Sequence, residues 1–482
     1  MSASVGEEGR GDAVVVEERV LATVKAKDLR WLVGERKKKK KRGGGGGVEE
    51  EEEEEEWRIA FAGGGKDDEK LVVALAFGSR LSCVAFERRR GGGAFELTDK
   101  YEQNAPTRVT ALVWTRLDFG EDGGAWYLAL GGRDGTFRLL DETTRVVVHE
   151  SRADSTAVLS IQAHNLAMGL RRDLQGVTSQ GLTLVFEGAV SLVQLEDLIR
   201  IHQDHKRRPK RPGKGLRRGS RDGAADFAKF NLATATAGAC DAVALGCANL
   251  PLQEQLLGSG GDGADGKRRR VRIVVAGADP ALSCVHVDTR GADALSLGMS
   301  LLSTALDWAP SLPLLGRLKK KVATSTTKKE DEGASPISSK VPFVDPTRQV
   351  HSLRLAPNFP LVACCDALGR VLVLDAANFL VSRVFKGYRD AQTAWLWCEG
   401  TLLLAILAPK RLRLEVWDYF RGRKAKHFDC SPRDRLARPP CTIVASLESQ
   451  AVAGGQGEAV RASFTDEGDL LLTGIGGAAR VL

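Results

Sequence analysis

Residues 381–418 read VSRVFKGYRDAQTAWLWCEGTLLLAILAPKRLRLEVWD. Four short β-forming runs lie in this stretch: VSRVF, TAWLWC, LLLAILA and LRLEVW, the last closing on Trp417-Asp418. Apolar and aromatic runs of this length, cut by Gly, Pro and charge, read as strands. A four-strand rhythm ending on a Trp-Asp pair is the signature of one blade of a WD-type β-propeller. Between the first and second runs stands a polar hinge, Lys386-Gly387-Tyr388-Arg389-Asp390-Ala391-Gln392.

The same figure recurs upstream. VTALVW (109–114) is followed by WYLALG (126–131), the turn Arg133-Asp134-Gly135, and TFRLL (136–140) ending on Asp141. Asp-Gly tolerates the positive φ that a tight hairpin demands. At 350–375, VHSLRLAP precedes LVACCDALGRVLVLD. Gly135 and Gly369 each stand six residues before a strand-ending Asp, Asp141 and Asp375. In 402–418 the closing residue is Asp418 and Leu412 holds the glycine's slot. These strand-ending aspartates read as turn caps before anything else.

Further pairs fill the chain: WRIAFA, LVVALAFG and RLSCVAFER after Trp57, LTLVFEG with AVSLVQL, VRIVVAG with LSCVHVD, and CTIVASL, RASFTDEGD, LLLTGIG and ARVL in the tail. VLATVKAKDLRWLV (20–33) alternates well enough for a first β-pair. About 20 strand candidates suffice for five to seven four-stranded blades. A parallel α/β fold would need helices of roughly 10–15 residues between strands, and few such patterns occur. The expectation is an all-β, divergent WD-type propeller of about seven blades over residues 20–482, after a flexible leader at 1–19. Charged, low-complexity inserts interrupt it at 34–56, 199–224, 255–270 and 309–341. The first joins a lysine run through five glycines to eight consecutive glutamates, Glu49 to Glu56, and cannot bury apolar area. Before the last insert, ADALSLGMSLLSTALDW places Leu295, Met299, Leu302 and Leu306 on one helical face, suited to the propeller rim, a partner helix or a lipid surface.

The net charge of +8 comes from patches beside these inserts, Arg36–Arg42, His205–Arg221, Lys267–Arg272 and Lys319–Lys321. They read as solvated loops. A nucleic-acid surface would interleave aromatics, which these patches lack, so no nucleic acid is expected as a partner. Nine cysteines without a C-x-x-C pair, and a first segment without an apolar core, read as free, mostly buried thiols in a reducing compartment.

No constellation argues for catalysis or a cofactor. Gly261-x4-Gly266-Lys267 has phosphate-loop spacing, but Arg268 stands where Ser or Thr would hold Mg²⁺. His202-x-x-His205, beside Glu196 and Asp204, shares a helical face but has no third ligand nearby in sequence. The hinge is the better candidate, as a partner-binding element. Tyr388 suits an interface with its ring buried and its hydroxyl wet, and Arg389 offers a bidentate fork or pairs with Asp390. With Lys386 and Gln392, these are the candidate partner-binding residues. The alternative is a buried latch between neighbouring blades.

At this hinge the chain resembles the regulatory, non-catalytic subunit of the Rab-three GTPase-activating complex, in its N-terminal domain. The family's motif is matched by Lys386–Gln392, by Ala408-Pro409-Lys410-Arg411 and by Leu414-Glu415-Val416-Trp417. LAPNFPLVACCDALGRVLVLD and AGADP (276–280) are similar too, so the resemblance spans roughly residues 70–482. Family members continue past the propeller into a long helical part not matched here. The resemblance implies a catalytic subunit and a Rab GTPase as partners, with the hydrolytic arginine on the partner. It implies GTPase activation, nucleotide exchange and roles in vesicle traffic, in the cytoplasm and peripherally at the endoplasmic reticulum. A WD-type interaction module with unrelated partners is the other reading.

Overall fold

Short apolar strands joined by tight turns leave each small sheet with two faces to bury, and the chain buries them against each other in a ring. The computed structural model describes residues 16–33, 57–63, 69–88, 95–118, 124–165, 180–207, 227–233, 235–247, 268–290, 339–345, 347–356, 359–398, 400–444, 459–465 and 469–477. After β1 (Val16–Val24) and helix α1 (Ala26–Val33), blade 1 is made of β2 (Arg58–Gly63), β3 (Lys70–Phe77), β4 (Arg80–Arg88) and β5 (Phe95–Asn104). Blade 2 has β6 (Val109–Asp118), β7 (Gly124–Gly132), β8 (Thr136–Asp141) and β9 (Val147–Arg152). Blade 3 takes β10 (Val158–Asn165), β11 (Gln180–Phe186), β12 (Ala189–Gln194) and, beyond helix α2 (Leu195–Arg207), β13 (Ala228–Asn231). Blade 4 is β14 (Asp241–Cys247), β15 (Arg268–Ala276), β16 (Leu282–Arg290) and β17 (Ser339–Phe343). Blade 5 is β18 (Val350–Leu355), β19 (Leu361–Asp366), β20 (Arg370–Asp375) and β21 (Leu380–Lys386). Blade 6 is β22 (Gln392–Cys398), β23 (Thr401–Ala408), β24 (Arg413–Asp418) and β25 (Arg423–Asp429).

Blade 7 is composite. Its inner strand is β26 (Arg435–Leu436). After β27 (Cys441–Val444) come β28 (Ala459–Phe464) and β29 (Leu470–Gly477), and β1 supplies the outer strand, antiparallel to β29. The two ends of the described chain thus close the ring through backbone pairing. β27 leaves blade 7 and pairs in parallel with β6, on that strand's free inner edge. The first strands of blades 1 to 7 contact one another in ring order around the axis.

The core is a set of seven apolar clusters, one at each interface between adjacent blades. Middle strands are covered on both faces, so they read as continuous apolar runs rather than alternating ones. Every residue of β19 (LVACCD) is buried, as are seven of the eight in β23 (TLLLAILA). Outer strands face solvent. In β25 (RKAKHFD) six of the seven residues are exposed.

That gradient explains where the sequence expectations shift. The seven-bladed propeller stands. The four runs in 381–418 do not form one blade, however: VSRVF lies in β21, the outer strand of blade 5, while the other three open blade 6. The true fourth strand, β25, carries no apolar signature because it has no interior to face. Only the first half of 20–33 is a strand. The second half is α1, whose Leu29 and Leu32 share a face and are buried, and whose Ala26 amide donates to Asp469 at 2.7 Å. β1 also begins at Val16, inside the expected 1–19 leader. α2 occupies the start of the 199–224 insert, β15 takes up Arg268 from the 255–270 insert, and β17 takes residues 339–341 from the last insert. CTIVASL supplies β27, which joins blade 2 rather than its neighbours in sequence. The 34–56 insert, the phosphate-loop-like 261–267 and the amphipathic 292–308 lie outside the described residues.

Candidate functional site

The hinge connects the outer strand of blade 5 to the inner strand of blade 6. Gly387 turns the chain at φ +85°, and a Cβ there would sit 2.3 Å from the Arg411 guanidinium. The turn drives Tyr388 inward, where it is 4% exposed. Its amide donates to the Gly369 carbonyl at 2.7 Å, and its ring lies under Arg411, whose Cζ is 4.8 Å from the ring centroid. Its hydroxyl donates to Glu415 Oε2 at 2.5 Å.

Glu415, on β24, is also 4% exposed. It accepts from Trp417 Nε1 at 3.2 Å and from Lys424 Nζ at 2.9 Å as well. Burial works to raise its pKa, but the hydrogen bonds from Tyr388 and Lys424 and the Lys424 charge hold it below the usual carboxylate range. Burial, reinforced by Glu415, pushes the Tyr388 phenol up. The charge therefore stays on Glu415 and the proton on Tyr388, and three donors from both sides of the joint converge on one carboxylate. Gln392 ties the next joint: its Oε1 accepts from the Leu436 amide, in blade 7, at 2.8 Å.

The five sequence candidates divide accordingly. Tyr388 is buried and Gln392 half-buried, and each is bonded across a joint between blades. They are latch residues, because the hinge must carry the chain through the interface between blades. Lys386, Arg389 and Asp390 are on the surface. Asp390, at φ +56°, pairs with Lys410 at 2.6 Å, with both side chains more than 60% exposed. Such a pair contributes about 0–1 kcal/mol. Sequence reasoning missed Glu415 as the centre of the latch. The signal was present: an acid inside the apolar strand Leu-Glu-Val-Trp needs buried partners.

The same loop borders the mouth of the central channel. A cavity of about 970 Å³ opens there, lined by the starts of inner strands and by the turns between the second and third strands of blades 5 and 6. Asp390, Ala391 and Gln392 form part of its wall. Its floor is the segment Leu436–Pro439, which crosses from blade 7 toward β27. Arg438 pairs in parallel with Ala60 of β2 there, and its guanidinium donates to the Ile161 carbonyl at 2.9 Å.

Elsewhere the polar groups serve the fold. Asp141 accepts from the Thr144 amide (2.6 Å), Asp375 from the Ala377 amide (2.9 Å) and Asp418 from the Arg421 amide (3.0 Å), so all three cap turns. His202 is buried against the Tyr127 hydroxyl, and burial draws its pKa down to about 4. Among the described residues no three His, Cys, Asp or Glu side chains gather to hold a metal ion. Burial pushes the Cys284 and Cys365 thiols up to about 11, away from thiolate chemistry.

Seven sheets around an axis, six of four strands and one that β27 extends to five, closed by the strand β1, define the chain as a β-propeller of WD type. A family model described as "Rab3 GTPase-activating protein regulatory subunit N-terminus" matches residues 72–437, from β3 to the residue after β26, and the chain belongs to this family. It is 32% identical over 114 residues to the Rab3 GTPase-activating protein regulatory subunit of Caenorhabditis elegans, an alignment covering 22% of this chain and 8% of that protein. Two solved structures are similar in shape. The Sqt1 protein of Saccharomyces cerevisiae has a TM-score of 0.37 at 11% identity, covering 84% of this chain and 81% of that one. BBS1N, crystallised in complex with ARL6DN, has a TM-score of 0.44 at 9% identity, covering 88% and 92%.

Proposed function

We propose that the propeller is a non-catalytic regulatory scaffold that pairs with a catalytic subunit to control a Rab GTPase, by GTPase activation and nucleotide exchange, in vesicle traffic. The observation that carries this reading is the family match across 72–437, which takes in blades 2 to 6, most of blade 1 and the inner strand of blade 7. The mechanism is positioning. A rim built of seven packed interfaces holds two proteins at a fixed orientation and lowers the entropic cost of their encounter. No residue of the propeller enters the chemistry in this reading. Lys386 and Arg389, on the surface beside the latch, are the partner-facing positions, and Arg389 offers a carboxylate-binding fork. Work at the cytoplasmic face of the endoplasmic reticulum, by peripheral contact, belongs to the same reading. Among the described residues no helix is long and apolar enough to cross a membrane.

The test is a titration of the full chain against the matching catalytic subunit, beside Lys386→Ala/Arg389→Ala and Tyr388→Phe. Binding that the surface double variant weakens about tenfold or more, the loss of one or two charge-assisted contacts, supports the reading and its surface. Tyr388→Phe should bind like the parent, since its hydroxyl faces Glu415. Binding unchanged in the double variant keeps the scaffold and moves its interface elsewhere. No binding by the parent chain returns the propeller to an interaction module with unrelated partners.

A further inference from the structure

The lining of the cavity at the channel mouth is rich in cations. Arg58 comes from blade 1, Arg354 from blade 5, Lys410 from blade 6, and Arg435 and Arg438 from blade 7 and its exit. These five cations line one cavity from a continuous arc of neighbouring blades, 5, 6, 7 and 1. One carboxylate, Asp390, lines it and is already engaged by Lys410. Another, Asp241, lies by Arg354 (3.4 Å) and also accepts from Gln162 and from the Leu353 amide at 2.9 Å. Arg435 and Arg438 are held on carbonyl oxygens, of Asp434 at 3.0 Å and Ile161 at 2.9 Å, which position a guanidinium without neutralising it. Desolvation, with the Arg354 charge close by and Arg58 adding to it, draws the Arg438 pKa down to about 9 against the pull of Asp241. A buried guanidinium with cations close by gains from an incoming anion.

Shape narrows the ligand. The volume of about 970 Å³ is at the upper end for small-molecule sites, and residues 436–439 form part of the lining. Cations that four neighbouring blades bring to one cavity suit a compact ligand with several negative charges. An extended acidic peptide would present its carboxylates along a line. Four of the five cations are arginines, whose planar forks match phosphate oxygens. We infer that the channel mouth is a binding site for a compact polyphosphate, such as a multiply phosphorylated ring, held by Arg58, Arg354, Lys410, Arg435 and Arg438. This goes beyond the scaffold role and does not depend on it.

The experiment is calorimetric titration of the full chain with inositol hexakisphosphate at physiological salt. Alongside it go the mouth variant Lys410→Gln/Arg435→Gln and a control, Arg423→Gln/Lys426→Gln, which removes as much charge from the exposed strand β25. The expected result is saturable binding of one ligand per chain. The mouth variant should bind about tenfold or more weakly, and the control should match the parent. A parallel arm uses phosphatidylcholine vesicles doped with phosphatidylinositol bisphosphate. Vesicle capture that the mouth variant loses assigns the phosphates to a lipid headgroup, and capture of the soluble compound alone assigns them to a free ligand. Absence of saturable binding overturns the inference. So does equal loss in mouth variant and control, because the affinity then belongs to the general basic surface. Circular dichroism on each variant confirms that the fold is kept, and Lys410→Gln alone, at an exposed side chain, repeats the test should the double variant fail to fold.

Discussion

Blades 6 and 7 meet at one interface yet are built in opposite ways. Blade 6 comes from a single continuous stretch, Gln392–Asp429, and is fixed to blade 5 by side chains: Tyr388 from the hinge, with Glu415, Trp417 and Lys424 from the blade. Blade 7 is gathered from both ends of the described chain and is fixed by backbone, through the ladder between β1 and β29. A ring of blades needs every interface closed, but the closure can be made by a hydrogen-bond ladder or by a few buried polar groups. The first resists point substitution and fails when a strand is removed. The second is open to a single side-chain change.

Removing β1 is therefore the strongest way to break the comparison. A chain lacking residues 1–24 loses Val16, Leu21, Ala22 and Val24 from two interfaces. Each of the larger side chains contributes roughly 1.5–3 kcal/mol, so the sum rivals a net stability of about 5–15 kcal/mol. The expected outcome is loss of a cooperative melt, read by calorimetry. Glu415→Ala comes next. It leaves the Tyr388 hydroxyl and the Trp417 indole N–H without their acceptor, at a cost of about 2–3 kcal/mol in urea unfolding. Were blade 6 held mainly by its apolar cluster, this variant would unfold like the parent.

The turns between second and third strands sharpen the same contrast. Gly135 sits at φ +76°, and a Cβ there would meet the Asp154 carbonyl oxygen at 2.2 Å. Gly135→Ala should cost about 2 kcal/mol, since both the conformation and the space require glycine. A joint closed by a helix offers a pH test. In α2, the His202 pKa is drawn from 6.5 to about 4, so the unfolded chain binds a proton that the folded one does not. Stability should fall as the pH drops from 6.5 toward 4, and His202→Gln should flatten that slope in pH-dependent melts. The smallest effect belongs to Leu412, which adopts φ +56° in blade 6 where blades 2 and 5 have glycine. Leu412→Gly relieves a left-handed residue at the cost of extra freedom in the unfolded chain, for a net gain of about 0.5 kcal/mol.

The propeller was legible because its middle strands must be apolar on both faces. LVACCD and LLLAILA announce themselves, and the six-residue spacing from turn to Asp recurs wherever a hairpin feeds a capped turn. Outer strands were not legible. β25 exposes Arg423, Lys424, Lys426, His427 and Asp429, which blunts a sheet edge but looks like a loop, so the frame of the blade was set one strand too early. The course of β27 into the channel was hidden because a short β-run pairs wherever topology offers an edge. At the site, glycine and tyrosine marked the hinge, but which side of it faces inward depends on Glu415, 27 residues away. The channel cations are separated by up to several hundred residues, and no local pattern joins Arg58 to Arg438.

The most direct measurement is a double-mutant cycle on the latch, with urea unfolding of Tyr388→Phe, Glu415→Gln and the pair together. If blade 6 is held to blade 5 by this buried bond, the cycle should show a coupling of about 1.5–3 kcal/mol, the range for a hydrogen bond to a charged group. Effects that add to within about 0.5 kcal/mol would contradict the latch and leave the joint to its apolar cluster alone.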